Sequence, residues 1–327
     1  MQISGYDVKV NGKYHISNGA FYPEQSGTYI EFHGHIRKIE ADIFGKTFEY
    51  PAYLAIMVDE ADVQFFEVKD GPDHQVLYEG DGDKDITVRI IKTTEEQYGT
   101  VAVQKLDIEG DVLPTGDCDK RFLFIGDSIT CGYGIDAVNG DIFTTESENF
   151  LKAYPYLVAK RLNADYDTLC QSGDGIISRW IPEEVDAPLP AALIPDLFER
   201  EIERPEERTK SYSRIIVNLG TNDASYTKGL ADRERLFSEK YGAFLKKVHE
   251  VYRDAQITVV YGILENSLSQ PISDMAAGLK RTGVSAEYLD VSDNYVLDGV
   301  GGHPGAKDHK LIAERIISHF TDENLSG

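Results

Sequence analysis

Residues 122–130 have the sequence FLFIGDSIT, an apolar run that ends in Gly126, Asp127 and Ser128. The run predicts a buried β-strand, and the polar residues that follow predict the start of a helix. A serine at such a junction has an exposed hydroxyl and a backbone N–H that lacks an intrahelical acceptor. Ser128 is therefore a candidate nucleophile, but for a serine judged alone the simpler interpretation, a cap on the next helix, is favoured.

The sequence around this stretch, from residue 118 to residue 327, alternates apolar strands with helices. Strands are predicted at residues 121–125, 166–170, 214–219, 257–261 and 287–291, and helices at residues 149–162, 232–252, 272–281 and 306–320. This alternation predicts an α/β domain with a parallel sheet flanked by helices. Ligands bind such sheets at the carboxyl ends of the strands, which is where Ser128 falls.

The first part of the chain shows a different pattern, in which apolar and polar residues alternate over short segments. Residues 85–92 (DITVRIIK) are an example. Turn signals separate these segments, among them the glycine between two histidines at residues 33–35. Short alternating strands predict an all-β sandwich, with a jelly roll as the expected topology. We therefore expect two domains, a sandwich over residues 1–117 and the α/β domain over residues 118–327.

Charge limits the classes of partner. The 327 residues include 56 acidic and 33 basic side chains, which give a formal net charge of −23. A field of this sign repels phosphate backbones and anionic lipid headgroups, so we expect neither nucleic acid nor a membrane as a partner. An uncharged sugar is compatible with it. No apolar run is long enough to cross a bilayer, and the sequence specifies no oligomeric state.

Cysteine content and the N-terminal residues bear on the compartment. The three cysteines, Cys118, Cys131 and Cys170, do not make a disulfide framework and fit a reducing compartment. No basic segment followed by an apolar one opens the sequence, so no signal peptide is predicted. We expect a cytoplasmic protein, or a secreted one if a leader has been removed. No metal site is expected, because His33 and His35 lack a third ligand at a suitable spacing.

Polar and glycine-rich stretches also follow the other predicted strands. Residues 171–175 (QSGDG) predict a tight turn whose amides can face a ligand. Residues 218–223 (NLGTND) supply Asn222, an uncharged donor that suits either an oxyanion site or an Asx turn. Residues 298–305 (DGVGGHPG) place His303 on a loop before the last helix, as a candidate general base. Four such features at one sheet edge favour a nucleophile over a helix cap.

In these four blocks the sequence resembles the SGNH/GDSL hydrolases. The blocks of that family centre on Gly-Asp-Ser, a glycine turn, Gly-x-Asn-Asp and a C-terminal His, and they occur here in the same order. The resemblance covers residues 121–320 and implies a flavodoxin-like sheet and acyl transfer. It makes Ser128 the nucleophile and His303 the base. The Ser128 N–H, the Gly173 N–H and the Asn222 side-chain amide become the oxyanion donors.

A narrower resemblance takes in the first domain as well. Residues 126–134 (GDSITCGYG), preceded by a sandwich that ends in residues 106–110 (LDIEG), are similar to carbohydrate esterase family 2. Those enzymes join a jelly-roll domain to an SGNH domain and remove acetyl groups from xylan and glucomannan. The resemblance implies an acetylated carbohydrate substrate and no cofactor or metal. The alternatives are a general short-chain esterase or lysophospholipase on the same scaffold, and a non-catalytic carbohydrate-binding protein.

The sequence departs from the broad family pattern just before the histidine. Most SGNH enzymes place an aspartate three residues before it, where this chain has Val300. Either Asp298 orients the imidazole or a backbone carbonyl does so, and we favour a Ser–His dyad with a carbonyl, as the narrower family implies. The single tryptophan, Trp180, follows the glycine turn and is interpreted equally well as a sugar-stacking residue or as part of the core.

Overall fold

The computed structural model describes residues 1–189 and 191–326. Its N-terminal part is built from antiparallel strands joined mostly by short connections. In chain order these strands are β1 (Gln2–Ile3), β2 (Tyr6–Asp7), β3 (Lys9–Asn11), β4 (Tyr14–Ser17), β5 (Ala20–Pro23), β6 (Tyr29–Thr47), β7 (Ala52–Val58), β8 (Asp62–Val68), β9 (Gly71–Glu79), β10 (Asp85–Lys92), β11 (Gly99–Gly110) and β12 (Leu113–Pro114).

Two layers of the sandwich share the long strand β6. The first part of β6 pairs with β10, for instance through Ile30 and Ile90, and its last part pairs with β9 and β11. The alternating apolar residues of β10 are buried in the core between the layers, with Ile86 at 2% and Val88 at 0% exposure. The predicted antiparallel sandwich is therefore confirmed.

The turn predicted at residues 33–35 is wrong, because this segment lies inside β6. The glycine is needed for a close approach of two chain segments and not for a reversal. A Cβ atom on Gly34 would lie 1.8 Å from the carbonyl oxygen of Asp111. The two flanking histidines have separate hydrogen-bond partners, and in the described part of the chain no group of three potential metal ligands is found.

The C-terminal part alternates strands with helices. Its strands are β13 (Lys120–Gly126), β14 (Ala164–Cys170), β15 (Arg214–Asn218), β16 (Gln256–Tyr261) and β17 (Ala286–Asp290). Its helices are α1 (Ser128–Cys131), α2 (Tyr154–Arg161), α3 (Ile194–Ile202), α4 (Pro205–Thr209), α5 (Thr221–Thr227), α6 (Ala231–Val251), α7 (Ser269–Arg281) and α8 (Ala306–Ser326).

These strands form one parallel sheet in the order β14-β13-β15-β16-β17. This is the flavodoxin-like order, in which the second strand lies outside the first, so the predicted α/β fold is confirmed. The helix predicted at residues 149–162 is shorter, because a 3-10 turn at Phe150–Lys152 precedes α2. The short helices α3, α4 and α5 were not predicted. Each has nine residues or fewer, and α3 and α4 have a proline in the first turn, which by itself indicates a chain break.

Apolar helix faces cover both sides of the sheet, and one of these clusters extends into the sandwich. Its members from the sandwich are Tyr29, Ala55, Met57 and Ile91. A bidentate ion pair at 2.6 and 2.9 Å between Arg204 and Glu24 also joins the two parts. The division at residue 117 stays a prediction. None of the helices in the described ranges combines the length and the apolar composition needed to cross a membrane.

Candidate active site

Strand β13 lies inside the sheet and carries Ser128 to its carboxyl edge. The chain is crowded where the strand ends, since a Cβ atom on Gly126 would lie 2.0 Å from Oγ1 of Thr130. Asp127 caps α1, because its Oδ1 accepts a hydrogen bond from the Ile129 N–H at 3.1 Å. Ser128 is therefore the first helical residue and not the cap, and its N–H has no acceptor within the helix.

Ser128 and His303 lie side by side although 175 positions separate them in the sequence. Ser128 Oγ is 2.9 Å from His303 Nε2, and His303 Nδ1 is 2.9 Å from the carbonyl oxygen of Val300. A carbonyl oxygen can only accept a hydrogen bond, so Nδ1 carries the proton. Nε2 then presents its lone pair to the serine hydroxyl, which is the tautomer that a general base requires.

The loop before His303 turns back on itself, and this brings the Val300 carbonyl to the imidazole. The 3-10 turn Val300–Gly302 includes Gly301 at φ +61°, a left-handed conformation that favours glycine. Asp298, the alternative orienter, makes no hydrogen bond to the imidazole in the described structure. Its Oδ1 instead packs against Gly305, where a Cβ atom would lie 2.0 Å away. The structure thus places the Val300 carbonyl, and not Asp298, at Nδ1.

Burial controls the protonation of the pair. Burial lowers the pKa of His303, whereas the hydrogen bond to the Val300 carbonyl raises this pKa and so offsets part of the shift. The ring of Tyr133 covers part of the imidazole, with the two ring centroids 4.7 Å apart. Burial also raises the pKa of Asp127 to about 7, although the hydrogen bond from the Ile129 N–H opposes the shift. A neutral imidazole is therefore favoured at neutral pH, as a base requires.

The other two donors suggested by the sequence lie at the ends of the strands that flank β13. Gly173 has φ +84°, which explains why glycine occupies the turn after β14. Asn222 Nδ2 donates to the carbonyl oxygen of Asp174 at 2.8 Å and lies 3.4 Å from Oδ2 of Asp127. Asn222 therefore connects the glycine turn to the cap residue that precedes Ser128. The second N–H of the Asn222 side chain makes only the longer contact, which is the one with Oδ2 of Asp127.

Asp223, the last residue of the Gly-x-Asn-Asp block, has a structural role that the sequence analysis did not assign. Its carboxylate is fully buried and accepts hydrogen bonds at 2.7 to 3.2 Å from three consecutive N–H groups, those of Ile176, Ile177 and Ser178. Burial nevertheless raises its pKa to about 6. A Cβ atom on Gly175 would lie 2.4 Å from Asp223 Oδ2, so this second glycine of the turn is needed for packing.

Trp180 lies at the surface beside the glycine turn. Its side chain is 58% exposed, so the interpretation as a core residue does not hold. Its backbone N–H donates to the Gly173 carbonyl at 2.9 Å, which fixes the residue next to the turn. A second aromatic group, which the sequence analysis missed, lies on the histidine side of the site. There Tyr133 stacks on Phe143 with ring centroids 3.8 Å apart.

The sandwich also reaches the site, which the sequence did not predict. In the connection between β10 and β11, Glu95 accepts a hydrogen bond from the Ser172 N–H at 2.6 Å. Gln97 Nε2 lies 3.4 Å from the Ser172 carbonyl oxygen. Glu95 is only 2% exposed. In the sequence these residues belong to a short polar stretch after a strand, a pattern typical of an exposed loop, so only the packing of the two parts reveals them.

A serine hydroxyl bonded to a neutral histidine at the carboxyl edge of a doubly wound parallel sheet is the arrangement of a serine hydrolase. Residues 124–310, more than half of the chain, match the model of the GDSL-like lipase/acylhydrolase family. The chain belongs to this family. The resemblance to SGNH/GDSL hydrolases inferred from the four sequence blocks is therefore confirmed.

Relatives with assigned activities extend the similarity into the sandwich. An acetylxylan esterase/glucomannan deacetylase of Cellvibrio japonicus is 25% identical over 280 residues, which cover 81% of this chain and 72% of that protein. The cellulase/esterase CelE of Acetivibrio thermocellus is 27% identical over 251 residues, 71% of this chain but only 29% of that longer protein.

Solved structures show that the whole two-part fold recurs. A family two carbohydrate esterase from Clostridium thermocellum, in complex with cellohexaose, superimposes with a TM-score of 0.85 at 22% identity and covers 97% of this chain and 99% of that one. A family two carbohydrate esterase from Cellvibrio japonicus gives a TM-score of 0.83 at 21% identity over 98% and 96% of the two chains. At these identities the likeness establishes the fold.

Proposed function

We propose that this chain is a carbohydrate acetyl esterase that removes O-acetyl groups from plant-type polysaccharides or oligosaccharides such as xylan and glucomannan. The observation that carries the proposal is the 2.9 Å contact between Ser128 Oγ and His303 Nε2, with Nδ1 bonded to a carbonyl. Membership of an acylhydrolase family and the activity named for the Cellvibrio relative support it. The net charge of −23 suits an uncharged substrate.

The reaction begins with attack of Ser128 Oγ on the carbonyl carbon of the acetyl group. His303 Nε2 takes the hydroxyl proton as the new C–O bond forms, and the Val300 carbonyl stabilises the imidazolium through Nδ1. The negative charge moves to the former carbonyl oxygen. The Ser128 N–H, the Gly173 N–H and the Asn222 amide are the donors assigned to it.

Collapse of this intermediate releases the sugar. The bond between the carbonyl carbon and the sugar oxygen breaks, and the imidazolium of His303 returns its proton to that oxygen, which leaves acetyl-Ser128. Water then attacks the same carbon while His303 takes a proton from the water, and the imidazolium gives this proton to Ser128 Oγ as that oxygen leaves. The second collapse breaks the bond to Ser128 Oγ, restores the serine hydroxyl and releases acetate. This chain's own side chains and amides carry each of these steps.

The test is acetate release from acetylated xylan, acetylated glucomannan and short acetylated oligosaccharides, together with hydrolysis of p-nitrophenyl acetate. Ser128→Ala should abolish all of these activities without changing the thermal unfolding temperature. The exposed Ser211 provides the matched control, and Ser211→Ala should behave as the wild type. Near wild-type turnover in Ser128→Ala would sink the assignment.

A series of acyl chain lengths separates this proposal from its alternatives. A carbohydrate acetyl esterase should prefer acetate over butyrate and longer esters. Clear preference for the longer esters would favour a general short-chain esterase or a lysophospholipase. Binding of acetylated glycans with no turnover of any ester would favour a non-catalytic carbohydrate-binding protein.

A further inference from the structure

The direction of the Gly173 N–H is set by the peptide unit that joins Ser172 to Gly173. In a trans peptide the carbonyl and the N–H lie in one plane and point in opposite directions, and the described residues contain no cis bond. Whatever holds the Ser172 carbonyl on one side of the turn therefore aims the Gly173 N–H to the other. Gln97 Nε2 at 3.4 Å and Arg179 Nη2 at 3.2 Å both donate to that carbonyl.

Glu95 binds the N–H and the hydroxyl of Ser172, on the side of the residue opposite to its carbonyl. Its Oε2 accepts from the Ser172 N–H at 2.6 Å and from Gln97 Nε2 at 2.8 Å, and its Oε1 accepts from the Ser172 hydroxyl. Cys131 lies close enough to this carboxylate to oppose the rise of its pKa. Cys131 is the last residue of α1, the helix that begins with Ser128. The carboxylate of Glu95 thus binds the oxyanion turn and lies near the end of the nucleophile helix.

A carboxylate at this buried position would destabilise the protein if its only role were to fill space. Glu95 is 2% exposed, and burial raises its pKa while the hydrogen bonds from Ser172 oppose the shift. A buried negative charge also repels an oxyanion that forms nearby. An apolar side chain of similar volume would avoid both the desolvation of a buried charge and the repulsion of the oxyanion. The arrangement makes sense if the carboxylate is needed for the several donors that it gathers, which a neutral side chain cannot all satisfy.

We propose that Glu95 and Gln97, contributed by the sandwich, are positioning residues that hold the Ser172–Gly173 peptide in the orientation required for oxyanion binding. The inference rests on the proposed function, since it concerns the transition state of the same reaction. Hydrogen bonds on the Ser172 carbonyl also polarise the shared peptide and strengthen the Gly173 N–H as a donor. The sandwich is then a part of the catalytic apparatus, because it acts together with Arg179 to hold the peptide that carries one of the oxyanion donors.

The variant that tests this is Glu95→Gln. An amide is neutral and accepts at one end only. With its oxygen towards the Ser172 N–H and Gln97, its NH2 group replaces the oxygen that accepts from the Ser172 hydroxyl, so the turn loses its charge-assisted hydrogen bonds and shifts. For p-nitrophenyl acetate we expect kcat to fall by about 10²-fold with KM within about twofold, as for loss of a group that acts only in the transition state. Gln97→Ala should lower kcat in the same way but less.

Glu24→Gln is the matched control. Glu24 is also a buried sandwich carboxylate that bonds to the α/β domain, through Arg204, but it makes no contact with the glycine turn. It should lower the unfolding temperature without lowering kcat. A merely structural role for Glu95 predicts the same for Glu95→Gln, namely reduced stability with unchanged kcat in the folded fraction, and that result would overturn the inference.

The same measurements separate the inference from the proposed function. Wild-type turnover that Ser128→Ala removes supports the function, and an unchanged kcat in folded Glu95→Gln would then overturn the positioning role alone. Absence of ester turnover in the folded wild type would overturn both. If Glu95→Gln does not fold, Gln97→Ala decides, because Gln97 is only half-buried and its loss leaves the carboxylate in place.

Discussion

The carbonyl oxygen of Val300 lies 2.9 Å from Nδ1 of His303, at the position where a catalytic triad has a carboxylate. A carbonyl fixes the imidazole tautomer as well as a carboxylate does. It offers only partial charge to the imidazolium that forms during the reaction, and the site then contains one fewer buried anion. The geometry is that of a Ser–His dyad.

A dyad predicts that Asp298 is dispensable for catalysis. Asp298→Asn keeps the shape of the side chain against Gly305 and removes only its charge. We expect kcat/KM for p-nitrophenyl acetate to change by less than about tenfold, whereas loss of a triad carboxylate costs about 10⁴. His303→Ala, measured alongside, should lose nearly all activity. A loss near 10⁴ in Asp298→Asn would show that this carboxylate orients the histidine after all.

The acid limb of the pH–rate profile should lie below pH 6.5. His303 must be neutral to take the serine proton, and burial disfavours the imidazolium and so lowers its pKa from the usual 6.5. As the pH falls, activity is therefore retained below 6.5 and is lost only when the folded protein protonates the ring. The measurement is kcat/KM for a neutral ester between pH 4 and 8. A midpoint clearly above 6.5 would contradict the expectation.

The titration of Asp127 has to be distinguished from that of His303 in the pH–rate profile. Burial raises its pKa to about 7, close enough to the acid limb to imitate the histidine. Asp127→Asn keeps an acceptor for the Ile129 N–H but no longer titrates. If His303 is responsible, the acid limb keeps its midpoint in this variant, whatever the absolute rate. A limb that disappears would belong to Asp127.

The sequence predicts those parts of the fold that depend on local pattern. Apolar runs define all five strands of the parallel sheet, and the residues that follow them identify Ser128, Gly173, Asn222 and His303 at one edge. For the group that orients His303 the sequence offers Asp298 or a carbonyl and favours the carbonyl only through the family resemblance, because the choice depends on the path of a glycine-rich loop. The left-handed conformation of Gly301 sets that path, and glycine adopts many conformations at similar cost.

The contacts between the sandwich and the α/β domain could not be predicted from the sequence. Glu95 and Ser172 are 77 positions apart, and neither lies in a periodic segment that predicts a neighbour. Their contact depends on how the sandwich packs against the sheet, which is a property of whole surfaces. The turn predicted at residues 33–35 is wrong for a similar reason, since Gly34 lies inside β6 and serves a close approach to Asp111 that no local pattern reveals.

Asn222→Ala should lower kcat by about 10²–10³, the usual cost of losing one oxyanion donor. The amide also bonds to the Asp174 carbonyl at 2.8 Å, so the glycine turn loses a support in the same variant. Both effects act on the transition state and leave KM nearly unchanged. Asn294→Ala, at an exposed asparagine, is the control and should retain full activity. A kcat within threefold of wild type would remove Asn222 from the donor set.

Trp180→Ala should affect glycan substrates and spare small esters. The ring is exposed beside the Gly173 turn, so it can stack on a sugar but has no part in holding the core. We expect KM for acetylated oligosaccharides to rise roughly three- to tenfold, in line with the worth of an aromatic contact, with p-nitrophenyl acetate hydrolysis unchanged. Trp180→Phe should restore most of the affinity. Equal effects on both substrates would instead indicate disturbance of the turn.

Glu148 should destabilise the protein increasingly as the pH rises. Its side chain is 2% exposed, its Oε2 has no hydrogen-bond partner, and burial together with the nearby Glu95 raises its pKa well above the usual value. A carboxyl group whose pKa is higher in the folded than in the unfolded state favours folding at low pH. That contribution is lost as the pH climbs from the unfolded-state pKa through the folded-state pKa.

Glu148→Gln removes this penalty, because the amide stays neutral at every pH and fills nearly the same volume. The unfolding temperature of the variant should therefore exceed that of the wild type at pH 8, and the difference should shrink towards pH 4. Glu146→Gln, two residues away and exposed, is the matched control and should change little at either pH. A lower unfolding temperature for Glu148→Gln at pH 8 would mean that the folded protein holds this carboxylate ionised, with Lys92 as the cation that stabilises it.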